Sequence, residues 1–254
     1  MNLVGFGHSH ILTLRFAAAH WKEEFDKLGI NISTIWMGDE KFQNYRVQSL
    51  GSGIEGFDFA DDIKSLIFNI DSNKEYVFSC FGGNAHNVLG LVRHPTPFDF
   101  RLENELLQEN LENVDVIPIQ IIEEVMQAQG GFPETIWCLR CLRNYYSGVI
   151  FHCESPPPIF DSDYLFKYSG IFAEMFEKNG ISPASLRQKL WRIHSKLIRN
   201  ECDVLGIHFI SAPSHFLTDT GFLTDNGLAQ DTTHASIEYG RSVLYQLMDK
   251  INPK

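Results

Sequence analysis

The residues that could do chemistry in this chain lie in three short segments that are far apart in sequence. Asp231–His234 has the sequence Asp-Thr-Thr-His, Gly7–His10 follows an apolar run, and Phe81–Asn84 follows another. A serine can act as a nucleophile, a histidine as its base and an aspartate as the group that orients the histidine. An asparagine amide can donate a hydrogen bond to an oxyanion. These are the groups that a serine hydrolase needs.

Each segment also has a purely structural interpretation, which is the better one when the segment is taken alone. Ser9 is typical of a helix N-cap, and Gly82-Gly83-Asn84 is typical of a tight turn. Asp231 would then be the N-cap of the last helix and His234 a residue of its first turn. The order of the segments favours chemistry, because two follow predicted strands and the third opens the last predicted helix.

Five apolar runs predict buried strands, and their continuous rather than alternating character is typical of a parallel sheet covered on both faces. Helical patterns separate them, so the sequence predicts a doubly wound α/β fold with its active groups at the carboxyl ends of the strands. The predicted strands are Leu3–Gly7, Ile32–Met37, Glu75–Phe81, Gly148–Cys153 and Asp203–Ile210.

Helical patterns fill the segments between these runs. The predicted helices are Ile11–Leu28, Ala60–Asn69, Ile119–Gln129, Thr135–Tyr146, Ser185–Arg199 and His234–Ile251. Ala85–Ser147 and Glu154–Cys202 are longer than a crossover requires. We interpret them as helical insertions, after the third and fourth strands, that cover the site within one domain of residues 1–254.

The three segments together resemble the short sequence blocks of the SGNH (GDSL-type) hydrolase superfamily. Gly7-His8-Ser9 is similar to the Gly-Asp-Ser block, Gly82–Ala85 to Gly-x-Asn-Asp, and Asp231–His234 to Asp-x-x-His. His8 and Ala85 stand where the family has aspartates that order the active-site loops. The resemblance implies a flavodoxin-like three-layer α/β/α sandwich with about five parallel strands in order 2-1-3-4-5.

The resemblance also implies a mechanism and its residues. Ser9 would attack an ester carbonyl, His234 would take its proton, and Asp231 would orient His234. The N–H groups of Ser9 and Gly38 and the amide of Asn84 would hold the oxyanion. The alternatives to Gly38 as a donor are three glycines of a later loop, Gly51, Gly53 and Gly56.

The implied activity is that of a serine esterase or acyl hydrolase that acts on a small ester or an O-acetylated carbohydrate. Two alternatives remain open. One is an acyltransferase with the same triad, in which a sugar hydroxyl replaces water. The other is a catalytically silent protein that keeps the fold and binds a glycan or a partner. The fold does not distinguish these activities.

Composition limits the partners. The 254 residues carry a net charge of −11, which argues against nucleic acid or an anionic membrane as the main partner. No apolar run is long enough for a transmembrane helix, and the N-terminus lacks the pattern of a secretory signal. The five cysteines are interpreted as reduced thiols. These features predict a cytoplasmic location and do not indicate an oligomeric state.

No cofactor or metal is predicted. His10 stands where a dinucleotide-binding fingerprint requires its third glycine, and no Walker A loop is present. His8 and His10 could ligate a metal with Asp231 or His234, but this is the weaker interpretation. The Cys138-x-x-Cys141 pair is expected to pack as small apolar side chains.

A further set of residues could line a substrate pocket, namely His152, Arg93 and His94. Four aromatic residues could form an acyl or sugar platform, but core packing is the better interpretation. They are Phe98, Phe100, Tyr145 and Tyr146.

Overall fold

The computed structural model describes residues 1–42, 44–48, 57–102 and 114–252. The strands within these residues are β1 (Asn2–Gly7), β2 (Asn31–Trp36), β3 (Arg46–Gln48), β4 (Phe57–Phe59), β5 (Glu75–Cys80), β6 (Phe98–Asp99), β7 (Asp115–Val116), β8 (Ile150–Cys153) and β9 (His208–Ile210). The α-helices are α1 (Ile11–His20), α2 (Lys22–Lys27), α3 (Asp61–Phe68), α4 (Ala85–Gly90), α5 (Ile119–Ala128), α6 (Phe132–Tyr145), α7 (Ser162–Lys167), α8 (Ala173–Asn179), α9 (Ala184–Leu205) and α10 (Ile237–Ile251).

One parallel sheet of five strands, in the order β2-β1-β5-β8-β9, forms the centre of the molecule. Counted along the chain, these five strands have the order 2-1-3-4-5, so the predicted topology is confirmed. The carboxyl ends of β1, β5 and β8 lie side by side at one edge of the sheet. Two small sheets, β3–β4 and β6–β7, lie outside it.

Helices cover both faces of the sheet and make the predicted three-layer α/β/α sandwich. On one face, Leu3 and Phe78 pack with Leu244 of α10 and with residues of α1. On the other face, Phe6 and Val77 pack with side chains of α6 and α9. Neighbouring positions of a strand point to opposite faces, so apolar residues on both faces produce the continuous apolar runs of the sequence.

Two predicted elements have different bounds in the structure. The predicted strand Asp203–Ile210 is wrong over its first half, because α9 continues to Leu205 and ends at Gly206, whose φ of 62° is a left-handed C-cap. The predicted helix Ile11–Leu28 is divided into α1 and α2 at Trp21, whose backbone is not helical.

The last helix also begins later than predicted. Ile237 is its first residue, and the Oγ of Ser236 accepts a hydrogen bond from the N–H of Tyr239 as its N-cap. The interpretation of Asp231 as that N-cap is therefore wrong. Asp231 and His234 lie in a loop before α10, and the orientation of their side chains is set within that loop.

Candidate active site

The three predicted segments meet at the carboxyl edge of the sheet. Ser9 follows β1, and Asn84 follows β5 as the residue before α4. The loop that carries His234 packs on the start of α1: the Oγ1 of Thr13 donates to the carbonyl oxygen of Ala235 at 3.3 Å, and the rings of His10 and His234 are 4.9 Å apart.

Asp231 holds its own loop and the His234 ring together. One carboxylate oxygen accepts the backbone N–H groups of Thr233 and His234, both at 2.7 Å. The other is 2.7 Å from Nδ1 of His234. Partial burial alone would raise the pKa of Asp231, but the bonds from the His234 ring and from the two N–H groups outweigh it and lower the pKa to about 2. Asp231 is thus ionised at neutral pH and Nδ1 carries a proton, which leaves Nε2 of a neutral His234 ring as an acceptor.

Ser9 is half-buried at the turn between β1 and α1. Its predicted role as an N-cap is wrong, because His10 occupies the cap position and Ser9 instead accepts the Leu12 N–H through its backbone oxygen at 3.0 Å. Nε2 of His234 is buried and has no hydrogen-bond partner among the described residues. The structure therefore brings Ser9 and His234 to one edge of the sheet without joining Oγ to Nε2.

His10 lies between His234 and the turn after β5. Its ring fits against Gly83, where a Cβ would lie 2.4 Å from Cδ2 of His10, and Gly83 has a φ of 95°. Both features require glycine at this position. Burial, aided by the neighbouring His234, lowers the pKa of His10 to about 3, so the ring is neutral.

The predicted oxyanion donors have different surroundings. The Oδ1 of Asn84 accepts from the Nδ2 of Asn87 at 3.2 Å, and the Asn84 side chain also interacts with the His10 ring. Within the described residues, no backbone acceptor receives the N–H of Ser9 or that of Gly38. The alternative donors Gly51, Gly53 and Gly56 lie outside the described residues.

Asn87 was not found by sequence reasoning, although its position three residues after Asn84 on a helix could have indicated it. We expect Asn87→Ala to lower kcat for ester turnover about tenfold with little effect on KM, because the Asn84 amide would lose its fixed orientation. Steady-state kinetics on an activated ester would measure this. Asn73→Ala, at an exposed position in the turn before β5, is the control and should not change kcat. An unchanged kcat in Asn87→Ala would contradict the assigned orientation.

A small pocket of about 20 Å³, enough for about one water molecule, lies behind this edge. Three histidines line it, His10, His152 and His194, together with Glu154. His152 lines this pocket but is buried, and its Nδ1 is hydrogen-bonded to the Oγ of Ser79 at 2.8 Å. The sequence did not predict His194 or Glu154 as pocket residues. The apolar pattern of α9 does not indicate that a histidine lies on its buried face.

The other predicted lining residues lie elsewhere. Arg93 and His94 are exposed on the segment after α4. Four aromatic residues that could have formed a substrate platform pack in or against the core, which was the preferred interpretation of the sequence. They are Phe98, Phe100, Tyr145 and Tyr146. The pair Cys138 and Cys141 also packs in that core.

All five cysteines are free and buried. His8 and His10 point in different directions, His8 towards Tyr45 and Phe81 and His10 towards His234. In the part of the chain that the structure describes, no group of three or more histidine, cysteine or acidic side chains is arranged to hold a metal ion. No described helix combines the length and apolarity needed to cross a membrane.

Comparisons with known proteins give likenesses of fold. No family model and no curated protein matches the chain. The periplasmic domain of a lipopolysaccharide acetyltransferase from Salmonella Paratyphi A is 13% identical over 98% of this chain and 83% of that one, with a TM-score of 0.49.

Two further solved structures have similar values. A member of the lipolytic G-D-S-L family from Veillonella parvula is 11% identical over 100% of both chains, with a TM-score of 0.48. An acetyl-xylooligosaccharide esterase from Geobacillus, solved as a mutant, is 11% identical over 100% of this chain and 94% of that one, with a TM-score of 0.46.

Proposed function

We propose that this chain is a serine acyl hydrolase that cleaves a small ester or an O-acetylated carbohydrate through an acyl-Ser9 intermediate. The observation that carries the proposal is the Asp231–His234 pair. Its 2.7 Å bond fixes the ring and its tautomer, so that a basic Nε2 is available beside the turn that carries Ser9.

In the proposed reaction, the Oγ of Ser9 attacks the ester carbonyl carbon while its proton passes to Nε2 of His234. The carbonyl oxygen becomes an oxyanion that the N–H groups of Ser9 and Gly38 and the amide of Asn84 stabilise, each by about 3 kcal/mol. The tetrahedral species expels the alcohol, which takes the proton from His234. Water then attacks acyl-Ser9 with His234 again as base, and the carboxylic acid leaves.

The reaction requires a movement of the Ser9 or His234 side chain, because the two are not hydrogen-bonded in this structure. Catalytic hydrogen bonds are often long in unliganded enzymes and shorten when substrate binds. A rotation about χ1 of Ser9 moves its hydroxyl between staggered positions at low cost. We propose that substrate binding brings the Ser9 hydroxyl to Nε2 of His234 and so completes the triad.

The buried Nε2 of His234 also favours a second candidate, a protein that keeps this fold without turnover and binds a glycan or partner. An acyltransferase is the variant of the first candidate in which a sugar hydroxyl attacks acyl-Ser9 in place of water. Product analysis with and without a sugar acceptor distinguishes transfer from hydrolysis, because only transfer yields an acylated acceptor.

Labelling with a fluorophosphonate probe tests the proposal directly. The probe reacts with an activated serine, so wild type should be labelled, whereas Ser9→Ala and His234→Ala should not. Ser72→Ala, at an exposed turn position, is the matched control and should be labelled as wild type. A folded wild-type protein that stays unlabelled would overturn the proposal in favour of the silent binding protein.

A further inference from the structure

His8 connects the end of β1 to the turn after β5. Its Nδ1 accepts the backbone N–H of Gly82 at 3.0 Å. Gly82 begins the turn Gly82–Asn84, which carries the proposed oxyanion donor. The backbone of this turn is tightly constrained, because Gly82 has a φ of 66° and a Cβ there would overlap the Oγ1 of Thr135. The His8 bond on one side and Thr135 of α6 on the other therefore fix where the turn begins.

A chain of hydrogen bonds fixes the tautomer of His8. A backbone N–H can only donate, so Nδ1 of His8 must be the acceptor and Nε2 carries the ring proton. Nε2 then donates to the hydroxyl oxygen of Tyr45 at 3.1 Å, and the Tyr45 hydroxyl donates to Glu134. Arg46 forms an ion pair with the same carboxylate at 3.2 Å. Each donor thus faces an acceptor along the whole chain.

We infer that His8 is a positioning residue for the oxyanion turn Gly82–Asn84, and that protonation of His8 releases this turn. The inference rests on the proposed function for its catalytic consequence, but not for the bond itself. A protonated imidazole has N–H groups at both ring nitrogens and has no acceptor left for Gly82. The Gly82 N–H would then face the N–H at Nδ1 of His8 without an acceptor, and repulsion between the two N–H groups would displace the turn.

The charged groups around His8 determine when this happens. Burial lowers the pKa of His8, Glu134 at 3.9 Å opposes it, and Arg46 acts in the same direction as burial. Tyr45 stays a neutral hydroxyl, since burial and Glu134 raise its pKa. His8 is therefore neutral at pH 7 and the turn is held. It is protonated only as the pH falls through its lowered pKa.

The test compares His8→Asn, His8→Leu and Tyr45→Phe. The Oδ1 of asparagine lies close to the position of Nδ1 and can accept from Gly82 without titrating, whereas leucine cannot accept. We expect His8→Leu to lower kcat about 10²-fold with KM changed much less. His8→Asn should restore kcat to within about tenfold of wild type. Tyr45→Phe leaves the Gly82 bond in place and should lose less activity than His8→Leu.

The pH profile distinguishes positioning from a merely structural role. On the acid side, as the pH falls through the lowered pKa of His8, the slope of log kcat/KM against pH should be steeper by about 1 in wild type than in His8→Asn. Thermal unfolding of all variants at pH 7.5 checks that each is folded. An unchanged kcat in folded His8→Leu, or a slope in His8→Asn equal to that of wild type, would overturn the inference.

A measurement that needs no activity separates this inference from the proposed function. The amide proton shift of Gly82 and the ring proton shifts of His8 can be followed by NMR as the pH is lowered from 8 through the titration of His8. The two should change together in wild type, and the Gly82 shift should stay constant in His8→Asn. If they change together while the fluorophosphonate probe labels nothing, the His8 bond stands and the proposed function fails. If the probe labels Ser9 and the Gly82 shift stays constant while the His8 ring titrates, the inference fails alone.

Discussion

His234→Ala should lower kcat/KM for ester hydrolysis by about 10⁴-fold or more, because Ser9 would lose the base that takes its proton. Asp231→Asn should cost about 10⁴-fold as well. The asparagine amide can present an N–H to Nδ1, which stabilises the tautomer that carries its proton on Nε2 and cannot act as a base. The double variant should be no worse than the poorer single one, since the two residues act as one unit.

Turnover of an activated acetyl ester at pH 7.5 would measure these effects. Asp225→Asn is the matched control: it makes the same change at an exposed position six residues earlier and should leave kcat/KM unchanged. Turnover by Asp231→Asn within about threefold of wild type would contradict the orienting role of the pair. Since the Oδ1 of Asp231 also accepts two backbone N–H groups, circular dichroism and thermal unfolding must show that the variant keeps its fold.

The sheet could be predicted from sequence because its signal is local. Strands buried on both faces have continuous apolar runs, and β1, β5 and β8 lie within one or two residues of their predicted bounds. The Asp231–His234 contact could also be predicted from sequence, because an aspartate three residues before a histidine in a loop can bond both the backbone and the ring. Where the apolar run crossed a helix end, at Asp203–Leu205, the prediction was wrong.

The rest of the site depends on contacts between distant segments. The relation of Ser9 to His234 depends on the side-chain conformations of two residues that are 225 positions apart in sequence (234 − 9). The chain from His8 through Tyr45 to Glu134 joins three separate segments, and none of them has a pattern that identifies its partner. The burial of His86 and His194 is equally hidden, because histidine is found both inside and outside folded proteins.

Lowering the pH from 7 to 5 should destabilise the protein by several kcal/mol, well before any carboxylate with a lowered pKa is protonated. The cause is a group of histidines buried to 3–6% exposure: His10, His86, His152 and His194. Burial lowers the pKa of His10 and of His152 to about 3, and that of His194 to about 4. It also lowers the pKa of His86.

The sign follows from which state binds more protons. An unfolded histidine has a pKa of about 6.5, so below that pH the unfolded chain binds protons that the folded state does not bind, and the unfolded state is favoured. The stability is complete above pH 6.5 and is lost as the pH falls towards 4. At pH 5 each neutral histidine costs about 2 kcal/mol, so the three with pKa values of about 3 or 4 cost on the order of 6 kcal/mol. Partly buried Glu154 opposes this effect, because its raised pKa lets the folded state bind a proton first.

Denaturant unfolding at pH 7, 6, 5 and 4.5 would measure the effect. His152→Asn keeps a partner for Ser79 and removes one titrating ring, so its slope near pH 5 should be smaller by about 1.4 kcal/mol per pH unit. His20→Gln, at an exposed position, should keep the wild-type slope. A wild-type free energy of unfolding that is flat between pH 6.5 and 4.5 would contradict the neutral, buried histidines.

The loss expected at pH 5 is a large part of the 5–15 kcal/mol that typically stabilises a folded domain. Three of these rings, His10, His152 and His194, line the pocket behind His234, and His10 also contacts Gly83. The cost of keeping these three rings neutral is therefore concentrated at the candidate site. Activity should therefore fall with pH for two separable reasons. Protonation of His8 acts on the folded protein and is reversed at once, whereas protonation of the buried histidines requires unfolding and follows the unfolding rate.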